Sequence, residues 1–195
     1  MKKFAFSLMA VAALALLATP GTSMAAPATF NVDGGHSAVI FRVKHFGAGL
    51  FIGRFNKVKG QVKWGKNAKS VKIKVAAGSI DTNNKRRDKH LRSPDFFNSK
   101  RFRFISFKGN KVKKLGKGVF AITGNLRFLG KNKQRTIKFR VTGLKKDPYG
   151  NLRMGAIATF RVKRSNFGMT YGVKNGAIGD IVTITIAIEA IKAKK

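Results

Sequence analysis

The feature that most constrains this chain is a period of two in its apolar residues. Val71, Ile73 and Val75 alternate with Lys72 and Lys74. Ile137, Phe139 and Val141 alternate with Lys138, Arg140 and Thr142, and Val182, Ile184, Ile186 and Ile188 with Thr183, Thr185 and Ala187. Successive side chains of a strand point to opposite faces, so each run is a β-strand with one buried and one wet face. Similar strands are expected at 28–33, 36–46, 51–63, 102–109, 118–128 and 153–163. Turn residues separate them at Gly34-Gly35, Gly65 to Asn67, Gly109-Asn110, Gly130 to Asn132 and Asp147-Pro148-Tyr149-Gly150. Eight or more short strands with tight connections predict an all-β protein, an antiparallel barrel or sandwich.

One segment lacks the alternation. Residues 82–92, TNNKRRDKHLR, read as a short helix. Asp81 or Thr82 is the expected cap, Asp88 is placed to pair with Arg92 one turn later, and Ser93-Pro94 ends the helix. Phe96 and Phe97 follow at once, where a helix lying across a barrel end would need apolar cover.

The chain has 17 Phe but only 2 Tyr and 1 Trp. Phe is the aromatic without a polar tip, and it suits an interior with nothing to hydrogen-bond. Some strands are apolar on both sides: Phe102 and Phe104 share one face while Ile105 and Phe107 share the other, and Val119 and Ala121 oppose Phe120, Ile122, Leu126 and Phe128. A barrel of about eight strands has an interior just wide enough for its own side chains or one slender ligand. Both fillings are compatible with this composition.

The surface is as lopsided as the interior. Lys and Arg number 41 against 7 Asp and Glu, a formal charge of +34. The basic residues are spread along the strands, unlike a disordered basic tail. At the N-terminus, Lys2 and Lys3 precede an apolar run from Phe4 to Ala18, and Ser23-Met24-Ala25 supplies small residues at a cleavage site. The expected reading is a signal peptide over residues 1–25, cut after Ala25 and directing the protein to the periplasm. An uncleaved anchor is the alternative. Removing Lys2 and Lys3 leaves 39 basic and 7 acidic side chains, a charge of +32, on one domain over residues 26–195. With no Cys, neither disulfides nor thiol chemistry enters.

Several runs resemble the YceI-like polyisoprenoid-binding proteins. They are DGGHSAVIFRVKH at 33–45, GRFNKVKG at 53–60 and SIDTNNKRRDKHLRSPDFF at 79–97, followed by KDPYGNLRMG at 146–155, RSNFGM at 164–169 and IGDIVTITIAIEAIK at 178–192. The likeness spans Thr29 to Lys192, and the helix segment with Arg87, Asp88, His90, Leu91 and Asp95-Phe96-Phe97 is its most specific piece. It implies an extended lipocalin-like antiparallel β-barrel, exported to the periplasm, with an apolar tunnel for an isoprenoid chain such as a quinone tail or polyprenyl phosphate. Three features depart from the family: the basic surface, Gly34-Gly35 where Pro is common before His36-Ser37, and Asn166 where Asp often precedes Phe-Gly. The seven acids (Asp33, Asp81, Asp88, Asp95, Asp147, Asp180 and Glu189) all stand at positions where the family has acids, which predicts structural partners for them.

For such a ligand the expected tunnel wall is Val39, Phe41, Val43, Phe55, Phe104, Phe107, Phe128, Phe139 and Phe160, with Phe96 and Phe97 as a gate. A phosphate or quinone head at the mouth would favour basic donors, here Arg54, Arg87, His90 and Arg92. No cofactor is expected beyond the lipid itself.

Other functions fit less well. A hydrolase triad through His36 and Ser37 fails because neighbours on a strand point apart, and no nucleophile elbow is present. His36, His45 and His90 lack metal-ligand spacing. A basic barrel binds nucleic acid nonspecifically at low salt, but an exported protein rarely meets it, so no specific nucleic-acid partner is expected. The charge fits attraction to an anionic membrane surface, or an acid habitat in which few carboxylates are left to titrate. The runner-up is a periplasmic stress or surface-associated basic protein whose barrel is filled by its own side chains. A homodimer is left open.

Overall fold

The computed structural model describes residues 27–65 and 69–194. The expected signal peptide with its cleavage site, and the end of the Gly65 to Asn67 turn, lie outside the described residues.

Among these residues the strands form one antiparallel sheet that closes on itself. The closed ring runs β1 (Ala28–Val32), β4 (Val58–Trp64), β5 (Ser70–Ala76), β7 (Phe104–Gly116), β8 (Val119–Phe128), β9 (Lys131–Lys146), β10 (Leu152–Lys163) and β11 (Ile178–Lys192), which pairs back to β1. Three further strands lengthen the barrel at one end. β2 (Ala38–His45) continues β1 along β11, β3 (Gly49–Phe55) pairs with β2, and β6 (Ile80–Asp81) pairs with β3. The result is an eight-strand closed barrel with one short helix: of the barrel or sandwich that the alternation and turn spacing predict, it is the barrel that the family resemblance implies.

Each interruption has a local cause. Between β1 and β2 the buried Ser37 takes over the ladder: its Oγ donates to the Asp33 carbonyl at 2.7 Å and accepts from the Glu189 N–H at 3.0 Å. The expected single strand at 51–63 is two strands, broken at Asn56-Lys57. The Asn56 N–H donates to the Ser79 carbonyl and the Lys57 N–H to Ser79 Oγ, both at 3.0 Å, from a short 3-10 turn at Ala77–Ser79. Gly109-Asn110 is not a turn. It lies within β7 at a register shift, where Gly109 faces Gly124 of β8, and the chain reverses instead at Gly118 with φ 68°.

The helix α1 spans Lys85–Leu91 and its cap is Asn84, whose side chain accepts from the Arg87 N–H at 2.9 Å. Asp81 and Thr82 are otherwise engaged. Asp81 stays in β6 and accepts from Asn56 and from the Asn83 N–H. Thr82 donates its N–H and hydroxyl to the buried Asp88 at 3.0 and 2.6 Å, so Asp88 ties the helix to β6 and does not pair with Arg92.

The core has a filled end and an emptier one. At the α1 end Phe96, Leu126, Phe128, Val162, Phe167 and Met169 pack as one buried group. At the other end Phe30, Val62, Met154 and Ala190 form a smaller group.

Candidate functional site

Inward-facing residues of most strands leave an apolar cavity of about 150 Å³ in the barrel. Its wall includes Val39 and Phe41 from β2, Phe55 from β3, Phe107 from β7, Phe139 from β9 and Phe160 from β10. Ile73, Ile122, Ile137, Ile184, Ile186 and Ile188 also belong to it. The only hydroxyl in the wall is Ser106, and no titratable side chain lines it. Such a surface can bury hydrocarbon and offers nothing for acid–base chemistry.

Trp64 caps the end away from α1. Its ring meets Phe120 edge-on at 4.9 Å and Phe139 at 6.2 Å, while Phe120 and Phe139 stack at 5.5 Å. An apolar cavity of about 150 Å³ holds roughly one benzene-sized molecule, comparable to one five-carbon isoprenoid unit. A longer chain must therefore move part of this aromatic cap or leave through the wall.

The remaining expected wall residues lie elsewhere. Val43 is buried on the inner face of β2 beyond the cavity. Phe128 packs on Phe97 and Phe167, with centroids 5.6 and 5.3 Å away. Phe97 also meets Phe55 edge-on at 5.4 Å, and Phe96 packs on His90 and Tyr171. Together they fill the α1 end. Phe104 is a correction: it is 40% exposed on the outer face of β7, beneath Lys59 and Lys74, because Ile105 and Phe107 take the inner face.

The four expected head-group residues also gather at the α1 end, outside the cavity wall. Arg54 is exposed on β3 opposite Asp81. Arg87 donates to the Thr82 hydroxyl and carbonyl at 2.8 and 2.7 Å and stacks over Phe51 at 4.8 Å. His90 is 2.8 Å from Asp95, and Arg92 reaches the Gly78 and Ile80 carbonyls at 3.4 Å. The Phe96, Phe97 and Phe128 packing stands between them and the cavity.

The wall is incomplete on one side. β9 and β10 pair from Leu152–Lys146 only as far as Ile157–Arg140, after a register shift at Gly155/Ala156. Beyond that point β9 stays with β8 and β10 with β11. Ile157, at the last rung, borders the cavity although it alternates with the inward Ala156 and Ala158 and is 40% exposed, which sets the seam beside the cavity.

The seven acids all have partners. Arg153 donates to Asp33 at 3.0 Å, to Asp147 at 2.7 Å and to Glu189 at 2.6 Å. Its bond to Asp147, with the Asn151 and Tyr149 hydrogen bonds, holds that carboxyl down at about 2 against the opposing effect of burial. Asp33 is lowered chiefly by its bond to His36. Burial raises Asp180, but the Ser165 hydroxyl and N–H together with the charges of Lys163 and Arg164 outweigh it and the net shift is downward. Asp95 pairs with His90, while Asp81 and Asp88 serve the helix entry. Asp33, His36 and Glu189 bring ligand atoms within 4.8 Å of one another, but the Arg153 guanidinium already supplies the cation there.

A closed eight-strand antiparallel barrel around an apolar cavity defines a lipocalin-like protein. The YceI-like domain model matches residues 30–190, and the chain belongs to that family. A UPF0312 protein of Pectobacterium carotovorum is 33% identical over 191 residues, covering 96% of this chain and 98% of that one. One of Yersinia enterocolitica is 33% identical over 183 residues, covering 92% and 94%. Among solved structures, BcnA of Burkholderia cenocepacia superposes with a TM-score of 0.74 at 23% identity, covering 82% of this chain and 99% of that one. A polyisoprenoid binding domain from Saccharophagus degradans gives 0.69 at 12% identity, covering 84% and 98%. These likenesses establish the shared fold.

Proposed function

We propose that this protein is an exported, non-enzymatic binding or carrier protein for an isoprenoid lipid of the quinone or polyprenyl phosphate type. The observation that carries the reading is the cavity, whose wall residues are apolar but for the Ser106 hydroxyl and the Trp64 indole N–H. The binding property in the name of the Saccharophagus degradans domain, which shares the fold, supports it. Burying a methylene contributes roughly 0.8 kcal/mol, so one isoprenoid unit contributes roughly 3–4 kcal/mol before ordering costs. No polar contact to the chain is then required.

The basic surface is read as attraction to an anionic membrane, where such lipids reside. Phe46 at the β2–β3 hairpin tip is 70% exposed, and Leu50, Ile52 and Ile181 are exposed beside it among Arg42 and Lys44. Apolar side chains ringed by cations suit an anionic lipid interface. The filled α1 end favours the runner-up, a stress or surface-associated protein with a barrel full of its own side chains, but the cavity between that packing and Trp64 argues for a ligand.

The test is native mass spectrometry of the mature protein purified from the periplasm of its own cells, followed by organic extraction. A bound species of isoprenoid mass is expected. A clean apo mass, with no uptake of added polyprenyl lipids or quinones, would overturn the carrier reading in favour of the filled barrel.

A further inference from the structure

Among the described residues, one buried side-chain polar atom has no hydrogen-bond partner, and it is Nε of Arg135. Buried polar atoms are almost always paired, because an orphaned one costs its lost hydration. An arginine held this way is poised for an acceptor that comes from outside the chain.

Its position says which acceptor. Arg135 lies on β9 in the same parity as Ile137 and Phe139, both in the cavity wall. Two residues along a strand span about 7 Å, so Arg135 stands one side chain beyond that wall. The opposite parity faces outward: Thr136 bonds Thr123 at an exposed pair of hydroxyls. Across the ladder from Arg135 is Gly124, which has no side chain to cover it. Lys133 and Lys131 follow on the same face of β9, both exposed, although that face would be interior in an unbroken barrel. They are exposed because β10 has left β9 beyond the Ile157–Arg140 rung.

We propose that the seam between β9 and β10 is the door of the barrel and that Arg135 binds the phosphate of a prenyl phosphate whose chain lies in the cavity. This rests on the lipid-binding reading and chooses the anionic head over the neutral quinone. The guanidinium fork matches phosphate geometry, and Lys133 and Lys131 extend the field outward along the path of entry. The head then sits at the seam, where Lys133 and Lys131 stand across from Leu126 and Phe128 of the α1-end packing, and not among Arg54, Arg87, His90 and Arg92.

The experiment compares geranylgeranyl phosphate with geranylgeraniol, which share a chain and differ in the head. Binding is followed by emission of Trp64, the single tryptophan, which lines the cavity. Wild type is expected to bind the phosphate about tenfold or more tighter, as one charged hydrogen-bonded contact allows. Arg135→Gln should abolish that preference while keeping the affinity for geranylgeraniol. Arg135→Lys should keep part of it. Lys113→Gln, which removes the same charge from the outer face of β7, should leave it intact. Should Arg135→Gln fail to fold, Arg135→Lys decides alone, and an undiminished preference there refutes the fork. If wild type binds both lipids equally, or Arg135→Gln retains the preference, the seam site is overturned while lipid binding stands. If neither lipid binds, the lipid-binding reading falls and this one with it.

Discussion

Ala158 offers the sharpest test of whether a ligand uses the cavity. It sits on β10 with its methyl in the wall, opposite Ile186. Ala158→Phe adds a ring to a cavity of about 150 Å³, the volume that roughly one benzene-sized molecule fills. The ring therefore displaces about one isoprenoid unit, worth roughly 3–4 kcal/mol at about 0.8 kcal/mol per methylene. At about 1.4 kcal/mol per factor of ten, affinity for geranylgeraniol should fall on the order of 10²- to 10³-fold. Filling a void should leave the folded state as stable as before or raise it slightly. The assay is titration followed by Trp64 emission, with thermal melting alongside. Ala156→Leu, another wall position, gives a smaller graded loss if the ring proves too large for the barrel. Unchanged affinity in a folded Ala158→Phe protein would refute the reasoning, because the chain would then lie outside the cavity.

Three further outcomes are expected. Asp147 is held at about 2 in the folded protein against an ordinary 3.8, so its stabilising effect is complete above the ordinary value and is lost as pH falls through about 2. Asp33, Asp81 and Asp180 are shifted the same way, so the melting temperature should hold from pH 7 to about 4 and decline only below it, and a steep loss between pH 5 and 3 would contradict this. Arg164→Met should cost roughly 3 kcal/mol or more, read as about 10 °C of melting temperature, since the buried guanidinium donates to the carbonyls of Gly179, Met169, Tyr171 and Ile178. Phe46→Ser with Leu50→Ser should weaken co-sedimentation with phosphatidylglycerol vesicles without altering the melting temperature, and unchanged sedimentation would remove the hairpin from the membrane contact.

The strands were legible because one face of each is buried and the other wet, which stamps a period of two on the residues. Where that physical cause is local, the reading holds, as for Val71 to Val75 and Ile184 to Ile188. The break at Asn56-Lys57 carries no Gly or Pro and is imposed by Ser79, more than twenty residues away, so no local signal marks it. Gly109 has turn chemistry but serves close approach instead: a Cβ there would meet Ile122 at 2.6 Å. The cavity wall was half legible. Choosing phenylalanines captured Phe41 and Phe139 but passed over the isoleucines of the same faces, which inward parity alone would have found. The seam did leave a trace. From Lys131 to Thr136 every residue is polar, so neither face of that half of β9 is written for burial. The register shift that precedes it leaves Thr142 of β9 unpaired opposite Gly155/Ala156, and its trace in β9 is Gly143, well away from the polar run.

Phe104 shows how the charged surface and the apolar interior coexist. Lys59 lies directly across from Lys74, and Lys72 across from Lys108, so the sheet sets like charges in register on its outer face. Each such pair is unfavourable by roughly 0.2–1 kcal/mol, softened by water and salt. Phe104 lies beneath the first of them, its ring centroid 5.5 Å from Lys59 Nζ and 5.9 Å from Lys74 Nζ. A ring face attracts both ammonium groups and adds no charge of its own. Lys69 stands likewise 5.4 Å over Trp64, the residue that caps the cavity. Aromatic rings thus do on the outside what carboxylates do in most proteins, and the few carboxylates that remain hold positions with named partners: the Arg153 clamp, the helix entry and the Arg164 turn. Where lysines and wall residues occupy opposite parities of one strand, as Lys72 and Lys74 do against Val71, Ile73 and Val75, the surface charge and the cavity vary independently, and a basic coat leaves the apolar interior untouched.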